Sequence, residues 1–332
     1  MQDNGFERAG TRERNLGLEL VRVTEAAAYA AARFMGRGDK EAVDQAAVDA
    51  MRSALDGVDM DGIVVIGEGE KDEAPMLYIG EKVGNGLAPE VDVAVDPVDG
   101  TRLTALGLSG AIAVVATADR GSMYAAPPGV FYMKKLAVGR AAAHAVDLNA
   151  SIAENLTRVA EAKNMPVHDL TVTVLDRPRH KEMIDEIRAA GARIRLITDG
   201  DVMAAIQAAM EEYTGVDVYM GTGGAPEAVL AAAALKCIGG QMLCQVWPRT
   251  DEERAKMAQD GVDMEHVYGV NELITSDNVS FAATGITTGE LLRGVRYTVA
   301  GARTHSVMMR ARTGTVRFIE AIHRWQRHEP IS

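Results

Sequence analysis

The chain has 332 residues, 47% of them hydrophobic, and a formal net charge of −12. That is enough apolar material for one large or two intimate domains, and the acidic balance argues against nucleic acid or an anionic membrane as a partner. Cys237 and Cys244 offer no disulfide framework, Met1–Gly5 carries no basic-then-apolar leader, and no apolar run reaches the ~18 residues of a membrane helix, so a cytoplasmic setting is expected.

Leu16, Leu20, Val23, Ala27, Ala30 and Phe34 recur at helical spacing and predict a helix over 11–35, ended by Gly36-Arg37-Gly38. Asp39 is a candidate N-cap for a second helix over 40–55. Asp44, Val48, Met51 and Leu55 share a face of that helix, and Lys40 lies one turn before Asp44. A carboxylate on an apolar face is unusual. Short apolar runs at 63–66, 91–95, 111–117 and 130–133 read as strands.

From about 151 the pattern alternates. Helices over 151–163, 180–189, 201–210 and 225–235 interleave with strands over 170–175, 194–197, 216–220 and 241–246. Such alternation predicts an α/β layer with a largely parallel sheet. Further strands are expected at 279–284, 304–312 and 315–322. The change of pattern divides the chain near 165, into a first lobe over 1–165 and an α/β lobe over 166–332, with the C-terminal strands free to return to the first.

The chemistry concentrates at strand ends. Asp96-Pro97-Val98-Asp99-Gly100-Thr101 follows the 91–95 run. It offers two carboxylates and a carbonyl to hard cations, and backbone N–H groups to phosphate. Asp, Pro and Gly also make ordinary turns, but α/β folds place ligands at such strand ends. Pro97 is expected to break the strand and leave Asp99 outside it. Gly67-Glu68-Gly69-Glu70 follows another strand, and Glu68, nearest to it, is the chosen ligand. Converging carboxylates suit Mn²⁺ or Mg²⁺, which take oxygen ligands and keep waters.

Gly221-Thr222-Gly223-Gly224-Ala225-Pro226-Glu227 joins a strand to a helix, and Pro226 spoils the dinucleotide fingerprint. A helix N-terminus there suits phosphate, while Glu227 fits either a dipole-stabilising role or a metal ligand. Arg177-Pro178-Arg179-His180 and Asp199-Gly200-Asp201 follow two more strands. They could clamp a phosphate and sugar hydroxyls, or Asp199 or Asp201 could simply cap a helix. No zinc motif, nucleophile elbow or Walker loop is present in the sequence.

Assembled, these segments resemble the class II (GlpX-type) fructose-1,6-bisphosphatases of the lithium-sensitive sugar phosphatase superfamily. The likeness runs from Gly36–Lys40 through Ile66–Gly84, Asp96–Thr101, Arg177–His180, Asp199–Asp201 and Gly223–Glu227 to Ser276–Val279 and Ala283–Thr287. It implies a layered α/β/α/β/α sugar-phosphatase fold, a homo-oligomer (dimer or tetramer), and hydrolysis of the 1-phosphate of fructose 1,6-bisphosphate. It implies Asp44 and Glu68 as ligands of one Mn²⁺ or Mg²⁺, and Asp96, Asp99 and Glu227 as ligands of a second. It assigns substrate contacts to Asp99, Gly100, Thr101, Tyr132, Arg177, Pro178, Arg179, Asp199, Gly200, Asp201 and Gly224. Thr101, Asp72 and Lys40 become candidates for the catalytic water network. Asp99 stands where some members carry Glu, and Arg177 where Lys is common. Sedoheptulose 1,7-bisphosphate, or an inositol or nucleotide monophosphate, is the alternative substrate. A non-catalytic sugar-phosphate binder is the alternative of another class.

Overall fold

A computed structural model describes residues 11–69, 76–127 and 129–324. The first half runs α1 (Thr11–Ala32), α2 (Lys40–Leu55), β1 (Asp61–Ile66), β2 (Lys82–Val83), β3 (Glu90–Asp99), α3 (Thr101–Leu106), β4 (Ile112–Asp119) and β5 (Tyr132–Val138). Then come α4 (Ile152–Lys163), β6 (Thr171–Leu175), α5 (Lys181–Ala189), β7 (Arg193–Ile197), α6 (Asp201–Ala209), α7 (Glu211–Thr214), β8 (Val218–Gly224), α8 (Ala225–Ile238) and β9 (Gln241–Val246). The remainder is α9 (Asp251–Gln259), β10 (Val267–Tyr268), α10 (Val270–Leu273), β11 (Ser280–Gly285), β12 (Arg296–Thr298), β13 (Gly301–Arg310) and β14 (Thr315–Arg324).

The strands form two sheets. One has the order β12-β13-β11-β4-β3-β1-β2, with β14 also paired to β13, and the other β10-β9-β5-β8-β6-β7. The second sheet is mixed rather than largely parallel. β6 pairs in parallel with β7 and β8, but β5 runs antiparallel to both β8 and β9. The difference arises because β5, from far upstream, enters the middle of that sheet and interrupts the local strand–helix alternation. Conversely β11, β13 and β14 return to the first sheet.

Three apolar clusters stack the layers. α1 and α2 cover one face of the first sheet through Leu20, Val43 and Met51 against Val64, Val93 and Val115. α6 and α8 lie between the sheets, touching Val114 and Phe281 on one side and Met133 and Tyr219 on the other. α4 and α5 close the far face of the second sheet through Leu156, Val159 and Ile187. The result is the five-layer α/β/α/β/α arrangement. α8 is apolar nearly all round and rich in alanine (Ala228, Ala231–Ala234), as a helix sandwiched between two sheets must be. Among the described residues no helix is long and apolar enough to cross a membrane.

Candidate active site

The parallel strands β1 and β3, and β6, β7 and β8, carry the motif segments within or just beyond their carboxyl ends. Antiparallel β5 brings its amino end to the same edge, where Tyr132 pairs with Gly224. Segments scattered from 40 to 227 therefore meet at one edge of the fold.

β3 does not stop at Pro97. Asp96 pairs with Val114 and Asp99 with Ile112, so β3 carries one extra residue between them and bulges. Proline is tolerated at such a bulge because it owes the ladder no N–H. Asp99 is thus a strand residue, against the expectation from sequence. Val98 N–H donates to Asp96 Oδ1 at 3.0 Å. Gly100 then takes φ 97°, in the left-handed region, and a Cβ there would also come within 2.9 Å of Leu103 Cδ1. That turn starts α3 and aims Thr101 at α2, where its Oγ1 donates to Asp44 Oδ1 at 2.7 Å. α2 begins where the spacing placed it, with Asp39 Oδ1 accepting from Ala42 N–H at 3.0 Å. Lys40 lies exposed in the first turn, close enough for its charge to favour an ionised Asp44.

The Gly223-Gly224 pair serves carboxylates. A Cβ on Gly224 would lie 2.0 Å from Glu227 Oε2, and one on Gly223 would lie 2.0 Å from Asp201 Oδ2. Both side chains fold back over glycine backbone at the end of β8. Asp201 opens α6, whose N-cap is Gly200 without any side-chain cap bond, so neither Asp199 nor Asp201 caps it.

The acids crowd one another. Burial, then the charges of Asp99, Glu68 and Glu227, push the Asp96 carboxyl well above the usual range. Burial, then Asp201 and Glu227, do the same to Asp99. Burial and then Asp201 raise Glu227, and burial raises Asp44 despite the Thr101 bond. Glu68 is pushed up to about 7 by the surrounding chain, then by Asp44 and Glu227. Its surface stays exposed at the rim, where water damps part of that push.

Divalent cations fit this set. Asp99 Oδ2 and Glu227 Oε2 are buried without a hydrogen-bond partner, and every donor atom is a carboxylate oxygen. Among the described residues no three side chains are gathered tightly enough to enclose an ion alone. Water and phosphate oxygens would complete the coordination, as Mg²⁺ and Mn²⁺ favour.

The basic end belongs to the second sheet. Arg177 Nη2 donates to Asp199 Oδ1 at 2.6 Å, and Arg102 from α3 reaches Asp199 Oδ2 at 3.4 Å. Arg179 donates from Nε and Nη2 to Thr222 O at 3.1 and 2.6 Å, with its guanidinium carbon 5.5 Å from the Tyr132 ring centre. Pro178 opens the short 3₁₀ turn between the two arginines.

The sequence profile of the glpX-encoded bacterial fructose-1,6-bisphosphatases matches residues 14–323. The chain belongs to that family. It is 44% identical, over 96% of its length and 99% of theirs, to proteins of Synechococcus elongatus, another Synechococcus and Microcystis aeruginosa. Each of these is named D-fructose 1,6-bisphosphatase class 2/sedoheptulose 1,7-bisphosphatase.

In this fructose-1,6-bisphosphatase-family phosphatase the structure brings Lys40, Asp44, Glu68, Asp96, Asp99, Gly100, Thr101, Tyr132, Arg177–Arg179, Asp199–Asp201, Gly224 and Glu227 to one edge of the fold. Asp72 lies outside the described residues. Sequence reading gave no role of their own to three residues here. Lys135 is buried on β5 and bonds Asp201 Oδ2 at 2.6 Å. Its inward position between Met133 and Ala137 was the available signal. His180 is buried, its Nδ1 donating to Leu175 O at 2.7 Å and its Nε2 accepting Thr222 N–H at 2.8 Å. Burial holds its pKa down, which keeps the neutral tautomer these two bonds require. It pins the arginine turn to β8. Arg249 stacks at 5.1 Å on Tyr132 and pairs with Glu253, on a strand-end loop that offered only its basic residue as a hint.

Proposed function

We propose that this phosphatase removes the 1-phosphate of D-fructose 1,6-bisphosphate, giving fructose 6-phosphate and inorganic phosphate, and accepts sedoheptulose 1,7-bisphosphate at the same site. One arrangement supports the reading: carboxylates from α2, the ends of β1 and β3, and α8 crowd together, and Arg177, Arg179 and Tyr132 lie beside them, joined through Asp199 and Arg102. A sugar bisphosphate is anionic at both ends. Metal ions on the carboxylates and the arginines beside them would hold both phosphates at once.

Asp44 and Glu68 would hold one Mn²⁺ or Mg²⁺, and Asp96, Asp99 and Glu227 a second. The chemistry supplied there by such ions would be neutralisation of phosphoryl oxygens and acidification of a water. The protein supplies position. Thr101 gives its proton to Asp44, so towards an attacking water it is an acceptor that sets orientation. Asp72 is the carboxylate proposed to take the proton, and Lys40 lies close to Asp44 at the rim. Arg177 and Arg179 each keep N–H groups for the distal phosphate, which a planar guanidinium holds through two oxygens. Asp199, Gly200 and Asp201, with Gly100, Pro178 and Gly224, frame the sugar between them. A dimer or tetramer in the cytoplasm completes the proposal, supported there by two free, buried thiols that suit a reducing compartment.

The test is inorganic phosphate release with Mn²⁺ or Mg²⁺ from both ketose bisphosphates, fructose 6-phosphate and inositol monophosphate. The bisphosphates should lead in kcat/KM by about a hundredfold, the scale of losing a charge-assisted phosphate contact. No release from either bisphosphate, or preference for a monophosphate, ends the proposal.

A further inference from the structure

We propose that Lys135 is a positioning residue for this reaction: a cation built into the second sheet that fixes Asp201 towards the substrate and supplies charge the acidic cluster would otherwise draw from solution. The inference rests on the proposed function and adds a component to it.

Lys135 lies in the middle of β5, opposite Gly221 of β8 and Cys244 of β9. Its neighbours on the same strand face, Met133 and Ala137, belong to the apolar middle of the molecule. A lysine there, 2% exposed, is costly unless its charge is answered. The answer lies among the acids. Nζ sits 2.6 Å from Asp201 Oδ2 and 3.2 Å from where a Cβ on Gly223 would stand. Burial works against the ammonium, but Asp201 and then Glu227 outweigh it and hold its pKa above the ordinary range. Lys135 is therefore charged, and the charge faces the acids.

The bonding pattern assigns the role. Tyr219, fully buried, donates its hydroxyl to Asp201 Oδ2 at 3.3 Å, joining Lys135 on that oxygen. Among the described residues no donor reaches Oδ1, which is left to accept a sugar hydroxyl. An ammonium has three protons, and Lys135 makes one hydrogen bond among the described residues. Its charge also acts on Glu227. Asp201 Oδ2 and Glu227 Oε2 lie over the adjacent Gly223 and Gly224, and Gly200 beside Asp201 approaches Asp99 Oδ2, so an ammonium on Asp201 eases the repulsion among the proposed metal ligands. A purely structural ion pair would have no such reach among the acids.

The experiment compares Lys135→Met, Asp201→Asn and the double variant with wild type. The double variant removes both charges together, so it keeps the test alive if Lys135→Met alone fails to fold. With fructose 1,6-bisphosphate at saturating Mn²⁺, Lys135→Met should raise KM about tenfold or more and lower kcat less. The double variant should match Asp201→Asn in KM, because Lys135 acts through Asp201. Calorimetric titration with Mn²⁺ alone should show about tenfold tighter binding in Lys135→Met than in wild type, and in the double variant than in Asp201→Asn, since one resident positive charge has gone. Wild-type KM in Lys135→Met, losses that multiply in the double variant, or Mn²⁺ affinity no tighter without Lys135 would each overturn the proposal. The titration needs no turnover. Absence of phosphate release by wild type would sink the proposed function while leaving this half of the Lys135 test readable.

Discussion

Gly224→Ala displaces one candidate metal ligand without replacing it. Gly224 has φ −63° and ψ 144°, a conformation open to any L-residue, so alanine brings no backbone strain. As an N-cap without a side-chain bond, it loses about 1 kcal/mol on that exchange, since alanine is the poorer cap. The new methyl would stand 2.0 Å from Glu227 Oε2, where ordinary contact begins at 3.4 Å. The carboxylate end must therefore retreat by about 1.4 Å, and a flexible Glu can do so at little cost to the fold. Metal–ligand distances tolerate only about 0.2 Å, and a misplacement of about 1 Å in an active site costs roughly a hundredfold. The expected result is a melting temperature lowered by no more than about 4 °C, weaker binding of the second ion, and kcat down about a hundredfold at a Mn²⁺ concentration that saturates wild type. The assays are calorimetric Mn²⁺ titration and phosphate release. Wild-type affinity together with more than about a third of wild-type kcat would refute Glu227 as a ligand held by that close approach.

Thr101→Ala should lower kcat far more than it raises KM, with Thr101→Ser partly active, and equal loss in both would remove the hydroxyl from the mechanism. Arg179→Ala should cost about 2–4 kcal/mol in kcat/KM for the bisphosphate and little for a monophosphate. Surviving discrimination in that variant and in Arg177→Ala would move the distal phosphate elsewhere. Without divalent ions, melting temperature should fall as pH rises from 4.5 to about 7, because Glu68 holds its proton more tightly folded than unfolded across that window. Asp96, Asp99 and Glu227 push the same way, and Mn²⁺ should reverse the trend. A metal-free melting temperature that is flat or rising over that range would contradict the crowding of these carboxylates.

Much of this was legible in the chain because local signals agreed. The bounds of α2 and the placing of Asp44 follow from helical spacing and an N-cap, and β9 ran where its apolar residues lay. Acids and arginines beside apolar runs marked the strand ends that form the site. What escaped depended on distant pairing. β5 reads as one more strand of the first half, and nothing local says that it enters the second sheet between β8 and β9. Without that placement Lys135 has no visible partner. The reach of β3 through Pro97 was hidden too, since a bulge needs the β4 register to be recognised. The glycines closing β8 suggested a phosphate cradle, and only the folded side chains reveal that Asp201 and Glu227 occupy the space.

The alanines of α8 give the site its dimension. The acids of β1 and β3 hang from one sheet and the arginines beyond β6 from the other, with only the α6–α8 layer between. The span across the site is therefore a packing distance, fixed by how closely two sheets settle on Ala228 and Ala231–Ala234. A methylene added to that helix, well away from any reacting atom, would act like a shim in a vice. It would part the jaws while leaving every jaw residue in place.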